Sequence, residues 1–202
     1  ELIKRSKIFH YGSLSMTHDK NYEATQYAIQ VAKDNGCLIS FDPNLRLSLW
    51  KTPEEARRRI LYGMKQCDIM KISEEEVAFV SEQESLEKGV SFIRDNSDIK
   101  ILFVTLGNKG SIAYYKDEKI YCGGIHQEHV VDTTGAGDTF CGAVLSRILE
   151  LGTDALTEKD IREMLLFANA AASIVVTRKG ALCSMPEPEE IRAASSLIDK
   201  VL

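Results

Sequence analysis

Asp132-Thr133-Thr134-Gly135-Ala136-Gly137-Asp138 is the stretch on which the reading of this chain turns. It follows the apolar pair Val130-Val131 and opens a helical pattern through Phe140, Val144, Leu145, Ile148 and Leu149. Backbone N–H groups in the first turn of a helix have no partner within it, and the helix dipole favours negative charge there. Gly135, Ala136 and Gly137 carry almost no side chain, so their amides can approach phosphate oxygens and form an anion hole. Asp138 follows in the first turn, where its ionised form is favoured and its carboxylate can accept a proton from an attacking hydroxyl. These residues point to phosphoryl transfer. A lone Gly-x-Gly-Asp is better read as a tight strand-to-helix turn whose Asp complements the dipole, and the longer pattern tips the balance.

Composition narrows the class. The 202 residues are 44% hydrophobic and 27% charged, which fits an ordinary soluble globular protein, with a single domain over residues 1–202 as the expectation. A chain of this size buries roughly 70% of its unfolded surface. The net charge of -5 gives no footprint for nucleic acid, and Arg57-Arg58-Arg59 fits an exposed helix face. No apolar run approaches the roughly 20 residues that span a bilayer, and Glu1-Leu2-Ile3-Lys4-Arg5 is no signal-peptide core, so a cytoplasmic protein is expected. Cys37, Cys67, Cys122, Cys141 and Cys183 are odd in number and widely spaced, which suits reduced core residues. His126 and His129 would need a helix to converge on a metal, and the surrounding sequence reads as strand, so they are taken as unrelated surface residues.

Along the chain, strand and helix patterns alternate. Strands are expected at 7–11, 37–41, 68–72 and 101–105, with a hairpin at 110–115 and 119–123. Helices are expected at 21–35, 53–66, 74–80, 85–95, from Asp138 onward, at 157–176 and at 187–202. Ser73-Glu74-Glu75-Glu76 is a capping box, fully explained by helix initiation. The alternation implies α/β architecture with a mostly parallel sheet covered on both faces, where ligands bind outside the carboxyl ends of strands. The polar clusters at 42–46, 73–76, 105–110 and 132–138 each follow an expected strand and so are expected on one rim.

The segment from Asp132 through Gly142-Ala143-Val144-Leu145 resembles the signature of the ribokinase-like carbohydrate kinases, the PfkB family. The resemblance implies a three-layer α/β/α fold. It makes Asp138 the catalytic base that activates a sugar hydroxyl, and Gly135, Ala136 and Gly137 the anion hole. Thr105, Gly107 and Gly110, which alone would read as a turn, match a Thr-x-Gly-x-x-Gly loop lying along the nucleotide, ATP. Ser73 and Glu76 fall where the family usually has Asn-x-x-Glu, whose Glu organises Mg²⁺ and phosphate through water. Glu76 matches, and Ser73 departs from the Asn, as is common in fructokinase-like sequences. Asn169, on a small-residue helix face that could simply pack tightly, is placed near the adenine. Asp132, Thr134, Val175, Arg178, Gly180 and Ser184 match a loop around K⁺, held mainly by main-chain oxygens. The competing reading of that loop is an Arg178 ion pair and a turn at Gly180, and the two stand nearly even. The Walker motif Gly-x-x-x-x-Gly-Lys-Ser/Thr is absent, so this is phosphoryl transfer without a P-loop.

Phe41-Asp42-Pro43-Asn44-Leu45-Arg46-Leu47-Ser48-Leu49-Trp50 and His10-Tyr11-Gly12-Ser13-Leu14-Ser15 are similar to the fructokinase branch. Arg46 then stands near the sugar or the reacting phosphate, its alternative being a surface salt bridge. Fructose is the first choice of substrate, with 2-dehydro-3-deoxygluconate and ribose kinases as alternatives, and a non-catalytic nucleotide- or sugar-binding regulator as a different class. Apart from the small sugar, a second copy of the chain in a homodimer is the partner to be tested. A complete family member has an N-terminal portion ahead of the point matching Glu1, holding the first strands, most of the lid, Gly-x-Asp sugar contacts and a Gly-Gly-x-x-x-Asn motif. Neither motif is found here in that setting, the Gly-x-Asp triplet at Gly152-Thr153-Asp154 lying far along the chain. The expectation is therefore the C-terminal two-thirds of the family domain, which on its own would be unstable or inactive.

Overall fold

Short β-branched and aromatic runs separated by capped helices give alternating strands and helices in the computed structural model, which describes residues 1–198. The chain divides into two compact units between Val104 and Thr105. The first unit contains β1 (Ile8–Gly12), α1 (Asp19–Asp34), β2 (Leu38–Asp42), α2 (Pro53–Met64), β3 (Ile69–Ser73), α3 (Glu74–Ser81) and α4 (Leu86–Asp95), and β4 (Ile101–Thr105) runs to the unit boundary. β1 pairs in parallel with β2, Ile8 opposite Leu38 and Gly12 opposite Asp42. β2 pairs in parallel with β3, Ser40 opposite Ile69. Parallel neighbours need crossover connections, and α1 and α2 supply them. Ile39, Phe41, Ile69, Met70, Ile72 and Leu102 are fully buried, as expected of strands covered on both faces.

Local chemistry sets the helix starts. Thr52 accepts from the Glu55 amide with Pro53 in the first turn of α2, and Ser85 accepts from the Lys88 amide at α4. The Ser73 to Glu76 capping box forms at α3 as the sequence predicts, with both reciprocal bonds present. Each such cap contributes about 0.5–2 kcal/mol.

In the second unit β5 (Gly110–Tyr115) and β6 (Glu118–Gly123) pair antiparallel, Tyr115 opposite Glu118. The helices are α5 (Ala136–Leu151), α6 (Glu158–Val175) and α7 (Pro188–Ile198). α6 packs on α5 and on β6. Phe140, Val144 and Ile148 are buried on α5, as are Ile161, Met164 and Leu165 on α6, each contributing about 1.5–3 kcal/mol by leaving water. Six strands, most of them parallel, and seven helices among the described residues make the α/β arrangement expected from the sequence.

Two expectations are corrected. Arg59 is buried and pairs with Asp19 and Glu55, so the 57–59 run is not wholly an exposed helix face. Residues 124–133 are in neither strand nor helix, so the 132–138 cluster does not follow a strand. Val130 and Val131 are exposed, and the Val131 and Asp132 amides both donate to the Val176 carbonyl, at 2.8 and 3.3 Å. A two-residue apolar run that meets a loop carbonyl has no ladder to extend. The helix expected at 187–202 is observed as α7, and 199–202 lie outside the described residues. Cys37, Cys67, Cys122 and Cys141 are buried thiols and Cys183 is exposed. No helix among the described residues is long and apolar enough to cross a membrane.

Candidate active site

At the carboxyl ends of β1, β2 and β3 the first unit brings the 42–46 and 73–76 clusters together. Pro43, Asn44 and Leu45 each have a backbone group bound by a different element. The Ser13 amide, just past β1, donates to the Pro43 carbonyl at 3.2 Å. The Asn44 amide donates to Asp42 Oδ1 at 3.2 Å, closing a turn in which Asn44 has φ +45. The Leu45 amide donates to Glu76 Oε1 at 2.6 Å, and the Ser73 amide to Glu76 Oε2 at 2.9 Å. Arg46 comes next and is exposed, its Nη1 donating to the Leu45 carbonyl at 3.3 Å.

Beneath this turn lies a pair that the sequence reading missed. Lys71 Nζ donates to Asp42 Oδ2 at 3.0 Å, with the two side chains 9% and 5% exposed. Burial pushes the Asp42 carboxyl up to about 6, against the pull of Lys71 and with added repulsion from Glu76. The signal was available: a lysine inside the apolar strand Ile69-Met70-Lys71-Ile72 and an aspartate closing Leu38–Asp42 each need a buried partner. What the sequence lacked was the parallel pairing that joins them.

In the second unit, α5 begins at Gly135, which has φ +83, a left-handed value suited to glycine. No side chain caps this end of α5. Ala136 and Gly137 are half-buried, and Asp138 is exposed in the first turn. The geometry is that of a helix start without a side-chain cap, with a carboxylate beside it.

The six residues expected around K⁺ gather next to this end. Asp132 Oδ1 accepts from the Thr134 amide at 2.9 Å and Oδ2 from the Gly180 amide at 3.3 Å. The Thr134 amide above all holds the Asp132 carboxyl below its ordinary value. Ser184 is buried, and its hydroxyl donates to the Ala181 carbonyl at 2.7 Å and also to that of Gly180. The Val175 carbonyl accepts from the Arg178 amide at 3.0 Å. The Arg178 side chain pairs with Glu190, so the ion pair of the competing reading exists as well.

The 105–110 segment is a turn stiffened by neighbours. The Leu106 amide donates to the Gly110 carbonyl at 2.8 Å and the Gly124 amide to the Lys109 carbonyl at 3.1 Å. Gly110 has φ +106, and a Cβ there would stand 2.2 Å from the Cys122 carbonyl oxygen. Gly107 is exposed at φ +60 with open space around it, and Thr105 is half-buried. Asn169 is buried behind the hairpin. Its Oδ1 accepts from the Ser111 hydroxyl at 2.9 Å, and its Nδ2 donates to the Cys122 and Gly123 carbonyls, both at 3.2 Å. His126 and His129 are exposed, and no group of three or more metal-ligating side chains occurs among the described residues. A groove of about 750 Å³ between α2 and α3, lined by Arg57, Leu61, Tyr62 and Phe79 among others, contains none of the candidate residues.

An α/β chain whose helix start combines a left-handed glycine, no side-chain cap and a first-turn Asp has the form of a phosphate-handling protein, and the comparisons agree. The sequence profile of the pfkB family carbohydrate kinases matches residues 1–188, and the chain belongs to this family. It is 42% identical to fructokinase-1 of Oryza sativa subsp. japonica over 193 residues, covering 95% of this chain and 59% of that protein. Among solved structures it is similar to the fructokinase of Vibrio cholerae O395 bound to fructose, ADP and calcium ion, with TM-score 0.85 and 31% identity over 92% of this chain and 59% of that one. It is also similar to the fructokinase of Xylella fastidiosa with bound ATP, with TM-score 0.88 and 26% identity over 98% of this chain and 64% of that one. The chain spans a little under three-fifths of the length of the first of these curated relatives.

Proposed function

We propose that this chain carries the phosphate-handling part of an ATP-dependent sugar kinase that transfers the γ-phosphoryl group to a primary hydroxyl of fructose. The observation that carries the reading is the start of α5, where Gly135 adopts φ +83, no side chain caps the helix and Asp138 stands exposed in the first turn. Asp138 takes the proton of the attacking hydroxyl, and the Gly135, Ala136 and Gly137 amides face the charge that builds on the transferring group, the Ala136 amide turning from the Thr133 carbonyl to which it donates at 3.3 Å. Thr105, Gly107 and Gly110 line the nucleotide. Arg46 meets the sugar or the phosphate. Fructose is chosen because Asp42-Pro43-Asn44-Leu45-Arg46 is similar to the fructokinase branch and the relatives above bear that name.

The residues fit the two cations that the family implies. Glu76 already accepts one amide on each oxygen, so its remaining lone pairs suit a water of hydrated Mg²⁺ rather than direct ligation. Asp132, with the main-chain oxygens of Val175, Arg178 and Gly180 and with Thr134 and Ser184, offers the oxygen donors that a hard K⁺ prefers. Bound there, Mg²⁺ would neutralise phosphate charge and K⁺ would steady the loop beside the anion hole.

The test is ATP turnover by the complete gene product with Mg²⁺ and K⁺, against fructose, 2-dehydro-3-deoxygluconate and ribose. Fructose-dependent turnover should fall roughly 100- to 10,000-fold in Asp138→Asn while nucleotide affinity is unchanged. Undiminished turnover in that variant would remove Asp138 from the chemistry. Nucleotide binding without turnover of any sugar would favour a binding regulator.

A further inference from the structure

We infer that the buried Asp42–Lys71 pair is a positioning device that fixes the 43–45 turn and thereby sets where Arg46 stands. The inference deepens the kinase reading, on which it rests for what Arg46 meets.

Three consecutive residues ahead of Arg46 are held from three elements. Pro43 is bound by Ser13 after β1, Asn44 by Asp42 at the end of β2, and Leu45 by Glu76 in α3. Of these anchors Asp42 is central, because its Oδ1 closes the left-handed turn at Asn44 while its Oδ2 is held by Lys71 at 3.0 Å. Lys71 issues from β3, two residues before the Ser73 that caps α3. The strand that sets the Glu76 helix thus also sets the Asp42 carboxylate. The exposed guanidinium follows directly on this anchored backbone, and a long flexible side chain is aimed only as well as its Cα is held.

The cluster also has an uneven charge balance. Asp42, Lys71 and Glu76 are buried at 3%, 7% and 8% exposure, two carboxylates against one ammonium. For fold stability alone an apolar trio would serve as well, since replacing buried ion pairs by packed hydrophobes is often neutral or stabilising. A pair that also closes a turn before an exposed Arg has a directional role that an apolar trio would lack.

The experiment combines kinetics and amide exchange on the complete gene product. Asp42→Ala and Lys71→Met should each lower kcat/KM for the sugar roughly 10- to 100-fold, mainly through KM, with the KM for ATP unchanged. In an Arg46→Ala background the same substitutions should have little further effect, because they act through Arg46. Hydrogen exchange at the Asn44 and Leu45 amides should quicken in both variants, with exchange in the α1 core unchanged. Equal fold-losses in both backgrounds, or unaltered exchange at 44 and 45, would overturn the inference. If a variant does not fold, Asp42→Asn, which keeps the acceptor for Asn44 and drops the charge, gives the same exchange comparison in milder form. If the wild-type protein turns over no sugar, the kinase reading fails, and the exchange result still decides whether the pair holds the turn.

Discussion

Gly180 donates its amide to Asp132 Oδ2 at 3.3 Å across 48 residues of sequence, so one carboxylate ties the loop entering α5 to the loop leaving α6. The same carboxylate accepts from the Thr134 amide, one residue before the helix N-cap Gly135. If K⁺ sits among these oxygens, Asp132 is the one full negative charge offered to it by the six matched residues. Asp132→Asn should then raise the KCl concentration for half-maximal turnover roughly 10- to 100-fold, and choline chloride should not replace KCl in the wild type. Turnover indifferent to the choice of salt would leave Asp132 as a loop tie only.

Gly110 and Gly135 both have positive φ, and they should respond differently to alanine. At Gly110 the added Cβ would lie 2.2 Å from backbone at Cys122, with φ +106, so strain and clash add. At Gly135 the nearest atom is 3.5 Å away at Ala181, an ordinary contact, and only the φ of +83 is costly. Gly110→Ala should cost about 3 kcal/mol or more, Gly135→Ala about 1–2 kcal/mol, measured by urea unfolding. Equal losses would mean that the hairpin moves aside for the Cβ.

Asn169 tests whether a residue matched to the adenine site also holds the fold. Asn169→Ala strips the Ser111 hydroxyl and the Cys122 carbonyl of their buried partner and should cost about 2–4 kcal/mol. Asn169→Asp keeps an acceptor for Ser111 yet turns a carboxylate toward two carbonyls, so it should melt no higher than the alanine variant. Unchanged melting with weakened nucleotide binding would reverse the assignment, making Asn169 a ligand contact.

What could be read in advance was what depends on near neighbours. Ser73 and Glu76 are three residues apart, and their reciprocal capping is as expected. β4 and β5 match their expected limits because apolar runs bounded by turn residues have few alternatives. The misses are non-local. Val130-Val131 has strand composition, but a strand exists only with a partner, and the Val131 amide goes to the Val176 carbonyl. Lys71 and Asp42 became a pair only when β2 was placed beside β3 in register. Glu76, read as a capping residue and a Mg²⁺ organiser, proved also to anchor Leu45, a contact 31 residues distant.

Asp42 should leave its mark on the pH dependence of stability. Its carboxyl titrates near 3.8 when exposed and is pushed up to about 6 in the fold, chiefly by burial. The folded protein therefore holds this proton more tightly than the unfolded chain does. The stabilisation from protonated Asp42 is complete below about pH 4 and is lost as pH rises through about 6. Asp42→Asn cannot ionise and keeps an acceptor for the Asn44 amide, so it has no such loss. Other titrating groups cancel when variant and wild type are compared at each pH. Urea midpoints should thus move in favour of the variant between about pH 4 and 6 and hold a constant difference above that window. A difference independent of pH would show that Asp42 titrates alike in the folded and unfolded chain, and that Lys71 offsets its burial in full.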